Sequence, residues 1–106
     1  MNDVFLNYKN LLSTYINLLN QFISNTSYSS FIEDNQTIIS TTYLLLRISE
    51  IASFIPIDVN YIEQRKIETQ IKQLKNIINK DFDNKNYKEI YRYATELIPI
   101  YSNFLD

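Results

Sequence analysis

No glycine occurs anywhere in the 106 residues, and that absence narrows the folds open to the chain. Glycine supplies the left-handed turn residues and bulges that sheet proteins use repeatedly. Ile and Tyr favour strands, and they number 17 and 9, so composition leaves helix and strand both open. Periodicity decides between them. Val4, Tyr8, Leu11, Tyr15, Leu18 and Phe22 follow at steps of four and three, the spacing of a helical seam. Phe5, Leu12 and Leu19 recur every seven residues beside it. Asn7, Asn10, Ser13, Asn17 and Asn20 hold the opposite face. The pattern predicts a first helix over about 3–24, capped by Asn2 or Asp3.

A polar loop over 25–30 follows, and Ser30 with Glu33 has capping-box spacing for a short turn. A second long helix is predicted from Asn35 or Gln36 to Ile55, where Pro56 stops it. It is apolar on most of its circumference, as the most buried member of a bundle would be. The stretch 38–57 is long enough to suggest a membrane span, but Arg47 and Glu50 sit in its middle as an i,i+3 pair. Central charges are costly in lipid, so a buried helix is expected and no membrane partner. Asp58, with Asn60 as a rival, caps a third helix whose core stripe is Ile67, Ile71, Leu74 and Ile78, ending near Lys80. A last helix is expected over about 86–104. Its seam is Tyr87, Tyr91, Ala94, Ile98, Tyr101 and Leu105, with Ile90, Leu97 and Phe104 at the flanks. Pro99 lies inside it and should kink or loosen the last turn. The whole reads as one all-α domain over 1–106, an antiparallel four-helix bundle of up-down-up-down order.

The residues that are missing restrict chemistry. Without Cys, His or Gly, thiolate and imidazole catalysis, the usual zinc sites and glycine-rich phosphate loops are excluded. Asp81, Asp83 and Lys85 have the opening spacing of a calcium loop, but Asn86 and Arg92 stand where that loop needs Gly and an acid. The nine serines have no visible base partner. No catalytic residue, metal site or cofactor is therefore expected, and the chain is read as a non-enzyme. Its formal charge is −2, and the 58–106 half carries eight basic and eight acidic residues, interleaved. Nucleic-acid binding normally shows a net basic stripe, so a nucleic-acid-associated subunit is only an alternative. The amino terminus lacks a basic leader segment, so cytoplasmic residence is expected. Richness in Ile, Asn and Tyr, which have A/T-rich codons, points to a low-GC bacterium or its phage.

What remains is protein contact. Tyr93 lies off the predicted seam, near Glu96 and Ile100, and with Pro99 these residues form the expected partner-binding patch. The first helix carries only Asp3 and Lys9 as charges, so an interface on its Asn-rich side is a second place to look. The apolar second helix suggests a homodimer. The ending Glu96-Leu97-Ile98-Pro99 resembles the close of small helical domains in low-GC Gram-positive bacteria. The likeness covers about a fifth of the chain, with Arg92 and Tyr93 replacing the usual acidic stretch, and it implies no activity. The expected architecture is also similar to that of flagellar export chaperones. The expected function is an adaptor or chaperone-like module for a protein partner, the alternative being a phage or mobile-element inhibitor of a host protein.

Overall fold

The computed structural model describes residues 4–57 and 61–105. Most of these residues are helical, with no strand among them: α1 (Leu6–Ile23), α2 (Tyr28–Glu33), α3 (Asn35–Ala52), α4 (Ile62–Asp83), α5 (Tyr87–Arg92) and α6 (Ile98–Ser102), the last two joined by a π-helical turn over Tyr93–Leu97. No helix of the described residues is long and apolar enough to cross a membrane. The expected caps Asn2, Asp3, Asp58 and Asn60 lie outside the described residues.

α3 is the centre, packed most extensively against α4 and α1. It buries Ile38, Leu45, Ile48, Ile51 and Ala52, and with them Thr41, Thr42 and Ser49. Asp34 starts it by accepting the N–H groups of Gln36 and Thr37 and the Thr37 hydroxyl, the usual way to satisfy orphan donors at a helix start. The Thr37 hydroxyl and N–H hold the Asp34 carboxyl below its ordinary value.

Two polar groups in this core behave oppositely. The Ser49 hydroxyl donates to the Ile71 carbonyl at 2.6 Å and accepts the Lys75 N–H at 2.8 Å. Those are the two groups that one α-helical rung of α4 pairs, so Ser49 reaches from α3 into the backbone of α4. Thr41 Oγ1 is buried with no hydrogen-bond partner among the described residues.

The structure corrects the first helix. Leu12, Ile16, Leu19 and Ile23 are its buried residues, whereas Val4, Tyr8, Leu11, Leu18 and Phe22 are exposed. The apolar arc spans two adjacent stripes, and the core took the one containing Leu12 and Leu19. The short turn also moves. Ser27, three residues earlier than Ser30, accepts the Ser30 N–H, so α2 begins at Tyr28 and Phe31 is its buried anchor.

The α4–α5 turn shows how the chain manages without glycine. Lys85 takes φ 59°, the left-handed region that glycine normally fills. The Lys85 N–H donates to the Phe82 carbonyl and the Asn86 N–H to the Asp81 carbonyl, the pairing of a Schellman ending. Left-handed geometry costs a non-glycine residue about 1 kcal/mol. Lys85→Gly should therefore stabilise the protein by about 1 kcal/mol, read as a higher urea midpoint at unchanged slope. A lower midpoint would show that the Lys85 side chain, not the turn, matters there.

Pro99 has its effect upstream of where the sequence placed it. It occupies the first turn of α6 and offers no N–H to the residues before it. The ladder widens over Tyr93–Leu97, and the Ile98 N–H donates to the Tyr93 carbonyl, five residues back. The loosening is this π turn, not the last turn of the rod.

Candidate functional site

The four residues expected to bind a partner do not form one patch. Glu96, Pro99 and Ile100 are exposed, and their i, i+3, i+4 spacing sets them side by side. Tyr93 is the correction: it is buried, with 7% of its surface accessible. It follows Ile90 by three residues and precedes Leu97 by four, both buried, so its Cβ starts beside the core. Its ring lies beneath the Arg92 guanidinium at 5.2 Å, and its hydroxyl donates to Asp81 Oδ2 on α4 at 2.9 Å. Asp81 also accepts the Asn86 amide, so this carboxylate ties the α4–α5 turn to the π turn.

The environment of Tyr93 has a consequence at high pH. Burial, followed by the hydrogen bond to Asp81, pushes its phenol up from 10.0 to about 12. Burial pushes Tyr101 up as well, helped by the charge of Glu68. The folded state thus prefers the neutral phenols. Their contribution is fully present below pH 10 and is lost as pH rises through the folded values. Stability of the wild type should fall steeply between about pH 10 and 12, and Tyr93→Phe should flatten that decline. Chemical denaturation repeated across this window checks it, and an unchanged slope in the variant would overturn it.

The larger exposed feature is elsewhere, along α1 and α3. At one end Tyr8 stacks on Phe54, ring centroids 5.3 Å apart. In the middle the Arg47 guanidinium lies over the Tyr15 ring at 5.6 Å and pairs with Glu50 at 3.0 Å. At the other end Leu18, Phe22, Ile39, Ser40, Tyr43 and Leu44 line a shallow groove of about 480 Å³. Leu18 is 47% exposed, Tyr43 54% and Phe54 58%.

Taking roughly 200 Å² for a fully exposed side chain of this size, the exposed apolar residues of the stripe, Tyr8, Leu18, Phe22, Ile39, Tyr43 and Phe54, present about 580 Å², the upper end of what one monomer shows as a single patch. The largest patch on an ordinary monomer is about 300–600 Å². Sequence reasoning missed this face because it assigned the α1 half of it, Tyr8, Leu18 and Phe22, to the core. The signal was present: two parallel apolar stripes on α1 are more than one contact with a neighbouring helix can cover.

Among the described residues no group of three acidic side chains is placed to hold a metal ion. Asp81 is engaged by Asn86 and Tyr93. A smaller groove between α4 and the π turn, about 290 Å³, is lined by Gln70, Gln73, Ile77, Arg92 and Tyr93 among others. It mixes amides and a guanidinium with apolar groups, and it brings together no nucleophile and base. Compared with known proteins, the chain matches no family model, no curated protein and no solved structure.

Proposed function

We propose that this chain is a non-enzymatic protein-interaction module that binds its partner through the α1/α3 face. The observation that carries this reading is the exposed stripe from Tyr8 and Phe54 to Leu18, Phe22, Ile39 and Tyr43. An apolar surface of that size is costly to leave in water, and interaction surfaces are where soluble chains keep one. Aromatic rings supply much of it, as they do at binding hot spots. The partner is a protein surface of matching apolar character, and the module is adaptor-like or chaperone-like.

The architecture proposed with it is an antiparallel four-helix bundle of up-down-up-down order, in which α5, the π turn and α6 act as the fourth rod. Its support is local. Tyr8 meets Phe54 while Leu18 and Phe22 share a groove with Ile39 and Tyr43, the pairing expected when α1 and α3 run in opposite directions.

Site-specific photo-crosslinking tests the function. A photoreactive phenylalanine derivative is placed at Leu18, and separately at Ile100, in cells expressing the chain. Covalent protein adducts are expected from Leu18, and Tyr43→Asp should abolish them. Absence of any protein adduct from Leu18 overturns the reading; adducts from Ile100 alone would transfer it to the Glu96, Pro99 and Ile100 patch.

A further inference from the structure

We infer that the occupant of the α1/α3 face is a second copy of this chain, an inference that rests on the reading of that face as a protein-binding surface. The first support is area. With the half-buried Tyr15, Arg47 and Leu44 between its exposed residues, the stripe offers about 700 Å², within the roughly 600–1,000 Å² that each partner gives to an interface of standard size.

The second support is charge. Arg47 and Glu50, the charged residues set in the stripe, neutralise each other at 3.0 Å. The face therefore calls for no oppositely charged partner. A net charge of −2 also leaves little repulsion between copies.

The third support is the distribution of shape along the stripe. A two-fold interface must be complementary to itself, residue i meeting residue j while j meets i. Here the exposed Tyr8–Phe54 stack lies at one end and the Leu18, Phe22, Ile39, Tyr43 groove at the other. Tyr15 is seven residues from both Tyr8 and Phe22, which puts it about 10 Å along α1 from each. A dyad passing near Tyr15 and Arg47 exchanges the two ends. It sets the aromatic pair of each copy against the groove of the other.

Equilibrium sedimentation of the full chain tests this. From low to high micromolar concentration the wild type should approach twice 12.7 kDa. Leu18→Asp and Tyr43→Asp should each weaken association about a hundred-fold, and their circular dichroism should match the wild type because both side chains are exposed. Ile100→Asp, off the stripe, should remain dimeric. The dyad makes a sharper prediction: Ile39→Asp and Phe54→Lys chains, each monomeric alone, should dimerise when mixed, since positions 39 and 54 lie about 10 Å to either side of Arg47 and the dyad sets them against each other. A wild type that stays monomeric throughout overturns the inference. In that case a Leu18 crosslink to a different protein still upholds the binding face, and the absence of any crosslink removes both.

Discussion

Phe31→Ala is expected to cost about 3–5 kcal/mol, the largest effect of any single truncation considered in this fold. Phe31 is fully buried and is the only buried residue of α2. A six-residue helix has no stability of its own, so this ring keeps α2 in place. The ring lies 5.2 Å from that of Tyr91, which also meets Tyr28 at 5.4 Å and donates its hydroxyl to the Thr26 carbonyl at 2.7 Å. Removing Phe31 leaves a cavity and releases the segment from Thr26 to Glu33 at once. Equilibrium unfolding in urea should show the loss as a lower midpoint, and hydrogen exchange should show α2 opening first. Tyr91→Phe should cost only about 1 kcal/mol, because the ring stays and one hydrogen bond goes. A Phe31→Ala cost below that of Tyr91→Phe would mean that the aromatic cluster is not what holds α2.

At Ser49 the expected loss is about 3 kcal/mol for Ser49→Leu and about 1–2 kcal/mol for Ser49→Ala. The Ser49 oxygen lies 2.6–3.2 Å from backbone atoms of Ile71, Lys72 and Lys75. There is no room for three added carbons, and overpacking alone costs about 1–3 kcal/mol. Alanine removes only the hydroxyl, and the Ile71 carbonyl and Lys75 N–H remain in the register in which an α-helix pairs them. Thr41 provides the opposite sign in the same helix. Its hydroxyl is buried without a partner among the described residues, so Thr41→Val should stabilise by about 1 kcal/mol. Thermal or urea unfolding of the three variants checks both positions. Equal effects at Ser49 and Thr41 would overturn the distinction between a bonded and an orphaned core hydroxyl.

Much of this fold could be read from residue spacing. Helical class, the Ile71, Leu74 and Ile78 stripe of α4, and the Arg47–Glu50 pair all follow from spacings of three or four residues along the chain. Such contacts carry their own periodicity and need no knowledge of neighbours. The start of α3 was legible to within a residue for the same reason, since Asp34 caps its own helix.

The candidate site was not legible in that way. Spacing placed Leu18 and Phe22 in the core and Tyr93 on the surface, and the structure reverses both. An apolar arc broad enough for two stripes defines a helix, but the rotation of that helix about its axis is chosen by what packs on it. In α1 the choice sent Leu12 and Leu19 inward and left Tyr8, Leu18 and Phe22 outside. In the last rod, Asp81 on α4 drew in the Tyr93 hydroxyl across twelve residues of sequence. Local sequence determined that these segments coil and how long they run. Which apolar side each one hides, and so which side it offers to a partner, was settled only when the helices met, because burial is a property of the assembled surface and not of any one helix.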